Sequence, residues 1–227
     1  MKALQRHCRV WPTAAGYAAL ASETCDSTSR DALALWSTYR WPFIVRRPND
    51  DERCSGETTA VGLALPPSLG KHRLALRLTR QQIAADAPPL ALDEVVALAT
   101  PKLRRTFKPL SRAAARERVS LRVFGSAAWQ AQTGLDYVHV DSDLDLLATP
   151  TTRGELDAAI ALLERMQPHV PMRIDGEIVF PGGDAVSWRE WANAHGANCV
   201  LVKNIACVAL MKRDELLNRF DRCKLAA

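Results

Sequence analysis

The chain has 227 residues, 48% of them hydrophobic, with 30 Lys and Arg against 25 Asp and Glu, a composition ordinary for a globular protein. This length allows one full domain or two modest ones, with a core that needs no disulfide or metal staples, and it excludes collagen, a disordered tail and a disulfide miniprotein. The net charge of +5 conceals an asymmetry: residues 1–118 hold 19 Lys and Arg against 11 Asp and Glu, whereas residues 119–227 hold 11 against 14. The basic half invites an anionic partner and the acidic half a metal. The richest apolar tract, Val200 to Met211, is cut by Lys203 and Asn204, so no membrane-spanning helix is expected. Lys2, Arg6 and Arg9 are followed by Pro12, Thr13 and Gly16 in place of an apolar signal region, which predicts a cytoplasmic protein. The six cysteines, at 8, 25, 54, 199, 207 and 223, show no zinc-ligand spacing and read as reduced thiols; the six tryptophans read as packing anchors or stacking surfaces.

In chain order, Pro12 to Ala21 reads as a short helix with proline in its first turn, and Ser29 as the cap of a second helix from Arg30 to Trp41, ended by Pro42. Phe43 to Val45, Thr59 to Leu65 and Arg73 to Leu78 read as strands of a small antiparallel sheet, with the acidic insert Asn49 to Glu57 as a loop. Pro88-Pro89 marks a break, which predicts an N-terminal α+β module over residues 1–89 and a second domain over 90–227. The second domain opens with a helical region from Leu92 to about Arg118, interrupted at Pro101 and Pro109. Strand Ser120 to Phe124, a helix from Ser126, strand Leu144 to Ala148, helix Thr152 to Met166, a strand near Ile174, helix Asp184 to Ala194 and a last helix around Lys212 to Phe220 follow. Strands alternating with helices imply an α/β or α+β sheet core.

The chemistry concentrates in two strings, Leu121-Arg122-Val123-Phe124-Gly125-Ser126 and Asp141-Ser142-Asp143-Leu144-Asp145-Leu146-Leu147. A strand ending in Gly-Ser at the head of a helix leaves backbone N–H groups unpaired, and glycine lets a phosphate approach them. The period of two puts Asp143 and Asp145 on one face of the later strand and Leu144 and Leu146 on the other. Carboxylates that close repel unless a cation joins them, and Mg²⁺ is the usual cation where phosphate is the substrate. The triplet Asp141, Asp143, Asp145 is not a calcium loop, because Leu146 and Thr152 stand where that loop needs glycine and glutamate. Neither Gly-Ser nor Asp-x-Asp is specific alone; their order within one domain carries the signal.

This arrangement resembles the nucleotidyltransferase superfamily of the polymerase-beta type, in which Gly-Ser binds the departing phosphates and two Asp plus a third acidic residue on a neighbouring strand bind metals. The resemblance implies an α+β fold, a mixed sheet flanked by helices, preceded here by the smaller helix-plus-antiparallel-sheet module. Arg173-Ile174-Asp175-Gly176-Glu177 supplies the third position. Asp175 and Glu177 share a face, and Gly176 favours Asp175 by leaving room for close approach. The longer string Phe124-Gly125-Ser126-Ala127-Ala128-Trp129-Gln130-Ala131-Gln132-Thr133-Gly134-Leu135-Asp136-Tyr137 resembles the phosphoribosyl-dephospho-CoA transferases that modify malonate decarboxylase, its holo-acyl-carrier-protein synthases. Similarity extends through Phe180-Pro181, Trp188-Arg189-Glu190 and Val202-Lys203 and, in the first module, Trp41-Pro42 with Arg46-Arg47.

The resemblance implies transfer of phosphoribosyl-dephospho-CoA from 2′-(5″-triphosphoribosyl)-3′-dephospho-CoA to a serine of the apo carrier subunit, with release of pyrophosphate. Asp143, Asp145 and Asp175 are the expected catalytic and Mg²⁺-binding residues, and Gly125 and Ser126 the phosphate site. Lys203 reads either as a phosphate contact or as a snorkelling surface lysine. Arg46 and Arg47 read either as a grip on phosphate or carrier, or as edge charges. The first module, with its basic surplus, is the expected docking site for an acidic carrier. Two alternatives remain: a related transferase for the citrate lyase carrier or another nucleotidyltransferase, and a non-enzymatic nucleic-acid-binding module.

Overall fold

The computed structural model describes residues 4–49, 52, 58–194 and 198–224, with residues 223 and 224 described as backbone only. Contacts divide the chain into two units, Met1–Pro89 with Gln132–Tyr137, and Leu90–Ala131 with Val138–Ala227. Each has its own sheet, so the protein is mixed α+β with an N-terminal sheet module and a mixed C-terminal sheet.

The first unit comprises strand β1 (Arg9–Pro12), helices α1 (Ala14–Glu23) and α2 (Ser27–Tyr39), and strands β2 (Phe43–Val45), β3 (Thr58–Ala64), β4 (Arg73–Thr79) and β5 (Ile83–Ala87). They form a five-stranded sheet in the order β4-β3-β2-β1-β5, antiparallel throughout. Val10, Leu20, Trp36, Phe43, Val61 and Leu78 are buried, and the Trp36 indole donates to the Pro42 carbonyl at 3.2 Å. A buried indole needs such a partner.

Two expectations change here. Arg9 to Pro12 is a strand paired on both sides, and the helix begins only after it, with the Thr13 hydroxyl accepting from Gly16 N at 3.0 Å. Proline lacks an N–H, so it can end a strand as readily as open a helix. The second helix is capped by Asp26, whose carboxylate accepts from Ser29 N at 2.8 Å, so Ser29 is the capped residue. Strand β5, Ile-Ala-Ala-Asp-Ala, was not expected, because beyond Ile83 its alanines and aspartate disfavour a strand. Of the insert Asn49 to Glu57, Asn49 and Glu52 are described; the rest, Cys54 included, lies outside the described residues.

The second unit comprises β6 (Leu90–Ala91), α3 (Leu92–Leu98), α4 (Pro101–Glu117), β7 (Leu121–Val123), α5 (Gly125–Thr133), β8 (Leu144–Ala148), α6 (Arg153–Met166), β9 (Ile174–Val179), β10 (Ala185–Ser187), α7 (Trp188–Asn193), β11 (Cys199–Lys203), β12 (Val208–Lys212) and α8 (Arg213–Lys224). Its sheet runs β12-β11-β10-β9-β8-β7-β6, and only the β8–β9 pair is parallel. That pair is joined through α6, as a parallel pair requires a crossover. Leu144, Leu146, Ile174, Ile178, Val186 and Val200 lie in one buried cluster with Phe107 and Leu110 of α4 and Leu156 and Leu162 of α6. By strand alternation the intervening residues face the other side of the sheet.

Pro109 does not interrupt: it sits on the exposed side of one continuous α4. Asp184 to Ala194 is not one helix. Ala185–Ser187 pairs with β9 as β10, and only Trp188–Asn193 is helical. Ala185, Val186, Trp188 and Trp191 are all buried, and their spacing mimics a helical face although two of them belong to a strand.

Candidate active site

The chain approaches the site from β7. Phe124 N donates to the Asp145 carbonyl at 3.1 Å, continuing the β7–β8 ladder and setting the next residue, Gly125, beside Asp145. Gly125 has φ +66°, and a Cβ there would stand 1.9 Å from Asp145 Oδ2. Glycine is therefore required twice over, by conformation and by space. From it α5 begins, so the N-terminal first turn of the helix lies beside the Asp145 carboxylate.

Asp143 is delivered by a turn: Ser142 N donates to the His139 carbonyl at 3.1 Å, and His139 N donates to Ser142 Oγ at 3.0 Å. His139 thus serves that turn. The parallel register sets Asp145 opposite Asp175, Leu146 opposite Gly176 and Leu147 opposite Glu177. Gly176 has φ +140°, and a Cβ there would meet the Leu146 carbonyl oxygen at 1.9 Å, so a side chain would push the two strands apart beside Asp145 and Asp175. Asp175 Oδ1 accepts from Gly176 N at 2.8 Å. Arg173 joins the constellation: its guanidinium lies 3.3 Å from Asp143 Oδ2 and 3.1 Å from Asp175 Oδ2. Asp143, Asp175 and Arg173 are 37%, 34% and 59% exposed at their side chains.

Behind these residues the start of β9 is held firmly. Ile174 N donates to Gln167 Oε1 at 2.9 Å, and the Ile174 carbonyl accepts from Trp188 Nε1 at 3.2 Å and from Arg189 at 2.9 Å. Arg189 also bonds Gln167 and lies 4.5 Å over the Trp188 ring. Arg189 therefore anchors backbone.

The structure thus brings Gly125, Ser126, Asp143, Asp145 and Asp175 to one end of the β7–β8–β9 strands. Lys203 is elsewhere on the same sheet face, with Nζ 3.7 Å from Glu177 Oε1 across β10. Glu177 is 8% exposed, so it faces this lysine, and Asp175 is the acid beside Asp145. Arg46 and Arg47 belong to the first unit. Arg46 donates to the Val61 carbonyl at 3.0 Å and the Arg47 carbonyl at 3.1 Å and pairs with Glu52. That pairing holds the Glu52 carboxyl below the usual carboxylate range. Arg173 was the residue that sequence reasoning passed over. The signal was present, since Arg173 lies two positions before Asp175 on the same strand face.

The three aspartates offer hard oxygen donors, and two of them already share one cation, so their chemistry suits a divalent ion. Among the described residues, no three or more His, Cys, Asp or Glu side chains converge as a metal-ligating group; the carboxylates turn toward Arg173 and Gly125. A cavity of about 570 Å³ in the first unit, lined by Glu52, His72, Arg73 and Arg77 among others, includes none of these aspartates. Cys8, Cys25, Cys199 and Cys207 are free thiols, and no helix among the described residues is long and apolar enough to cross a membrane.

A family model described as phosphoribosyl-dephospho-CoA transferase MdcG C-terminal domain matches residues 90–214, and its N-terminal counterpart matches residues 5–89. The chain belongs to the phosphoribosyl-dephospho-CoA transferase family. A phosphoribosyl-dephospho-CoA transferase of Bradyrhizobium diazoefficiens is 38% identical over 214 residues, 94% of this chain and 92% of the relative. One from Xanthomonas campestris pv. campestris is 37% identical over 218 residues, 96% of this chain and 98% of the relative. One from Pseudomonas aeruginosa is 31% identical over 177 residues, 76% and 78% of the two chains. No solved structure matches at a significant level. The family is one of enzymes, and the two matched regions meet between Pro89 and Leu90, where the contact units also divide.

Proposed function

We propose that this transferase moves phosphoribosyl-dephospho-CoA from 2′-(5″-triphosphoribosyl)-3′-dephospho-CoA to a serine hydroxyl of the apo acyl-carrier subunit of malonate decarboxylase, in the cytoplasm. The serine oxygen forms a bond to the phosphorus next to the ribose, the bond from that phosphorus to the bridging oxygen breaks, and pyrophosphate departs with the electron pair. The observation that carries this reading is the register of Asp145 against Asp175, with Gly125 pressed on Asp145.

In this reading Gly125 and Ser126, at the head of α5, bind the departing pyrophosphate through backbone N–H groups. Asp143, Asp145 and Asp175 hold Mg²⁺, which supplies charge neutralisation for the triphosphate. Asp175, about a third exposed at its side chain, is the carboxylate assigned to accept the serine proton. Lys203 pairs with Glu177 on the sheet face that Asp175 shares, and Arg47 contributes to the docking of an acidic carrier by the first unit. Positioning and charge do most of the work in such a displacement.

The test incubates enzyme, Mg²⁺ and donor with the apo carrier of malonate decarboxylase or of citrate lyase and weighs each carrier by mass spectrometry. The expected result is a phosphoribosyl-dephospho-CoA adduct on a serine of the malonate decarboxylase carrier, abolished in Asp143→Ala and Asp145→Ala variants that melt like the parent. Modification of the citrate lyase carrier alone would change the acceptor, and full activity of either variant would remove the aspartates from the site.

A further inference from the structure

We infer that Arg173 is a resident cation of the acidic site: its guanidinium holds Asp143 and Asp175 together until a divalent ion takes its place, and then turns to the donor's phosphates. The inference rests on the metal-binding reading above and assigns a residue to which that reading gives no role. Two carboxylates on adjacent strand ends repel each other, and a single guanidinium with several N–H donors can satisfy both. Arg173 does so, at 3.3 Å from Asp143 and 3.1 Å from Asp175.

Its backbone and side chain are held very differently. The Arg173 carbonyl accepts from Leu144 N at 2.9 Å in the parallel ladder, and the next residue is fixed by Gln167, Trp188 and Arg189. The side chain is 59% exposed and its two partners are exposed by a third or more, so water competes for both contacts. Exposed ion pairs of this kind are weak, and a doubly charged ion with oxygen ligands displaces one readily. A displaced guanidinium remains tethered at the same strand end, on the face that the carboxylates share. Its fork of donors suits phosphate oxygens, which Arg binds in pairs.

The experiment titrates Mn²⁺ into the full chain by electron paramagnetic resonance, without donor, for the parent, Arg173→Ala, Arg173→Lys and Asp143→Asn, with urea melts as the control for folding. Arg173→Ala is expected to bind Mn²⁺ about two- to tenfold more tightly than the parent, and Arg173→Lys in between, since an ammonium competes without the fork. With metal saturating, Arg173→Ala is expected to raise KM for the donor about tenfold or more while changing kcat less. Mn²⁺ affinity in Arg173→Ala equal to or below that of the parent overturns the inference and leaves the metal site standing. Tighter Mn²⁺ binding with an unchanged KM overturns the phosphate half of it. No Mn²⁺ binding by the parent or by Arg173→Ala removes the metal site itself, and the inference with it.

Discussion

A methyl group on residue 125 has nowhere to go. Its carbon would overlap Asp145 Oδ2, and the φ of +66° already disfavours an L side chain by roughly 1–2 kcal/mol. Gly125→Ala is therefore expected to rotate the Asp145 carboxylate away and lower kcat about a hundredfold, with only a modest drop in melting temperature; transfer kinetics beside a thermal melt would show the split. Lys203 and Glu177 make a second residue-scale case. Glu177 is 9% exposed at its side chain and Lys203 35%, so Lys203→Met should cost about 1–2 kcal/mol, and adding Glu177→Gln should restore part of it. A double-mutant cycle in urea reads the coupling; additive costs would mean the pair does not interact. The aspartates were legible in the sequence because alternation and spacing are local properties. The pairing of Lys203 with Glu177 was not, because β10 lies between them and its pairing with β9 and β11 cannot be read from either strand.

At the scale of elements, boundaries were misread wherever the same residues satisfied two patterns. Pro12 ends β1 where it could have begun a helix, and the tryptophans of α7 lent a helical period to the strand before them. Strands with alternating apolar residues and clear turns, such as β3 and β4, were read within a residue or two. Between β2 and β3 the Arg46–Glu52 pair ties the stretch leaving β2 to the sheet, with Arg46 also bonding the Val61 carbonyl. Because the folded Glu52 carboxyl lies below its ordinary range, its stabilising effect is present above that range and disappears as pH falls through the folded value. The parent should lose about 1–2 kcal/mol of stability on acidification below pH ~4 that Glu52→Gln does not lose. Urea midpoints across that range for the two proteins measure it, and parallel pH profiles would exclude a role for this pair.

For the whole molecule, the structure redistributes the charge. Residues 1–89 hold 12 Lys and Arg against 8 Asp and Glu, and seven further cations, Lys102, Arg104, Arg105, Lys108, Arg112, Arg116 and Arg118, lie on or at the end of α4 in the second unit. Much of the basic surplus that pointed to carrier docking by the first module therefore belongs to a helix whose buried side covers the leucine face of the sheet, away from the aspartates. Carrier recognition through the first unit then rests on a smaller charge, in which Arg47 is a cleaner probe than Arg46, whose guanidinium is built into the sheet. Arg47→Glu is expected to raise KM for the carrier about three- to tenfold at low salt, with the difference shrinking as salt rises and KM for the donor unchanged. A carrier KM indifferent to Arg47→Glu would exclude this residue from docking.

The lone parallel pairing also has a temporal consequence. Asp145 and Asp175 become neighbours only after the chain has closed a loop of about thirty residues through α6, whereas β9 and β10 pair across a short turn. A chain emerging from the ribosome carries two of its three aspartates long before the third, and a fragment ending before Ile174 lacks the strand that completes the acidic cluster. The constellation is thus completed by a non-local contact, so a growing chain gains its third acid only with the crossover through α6.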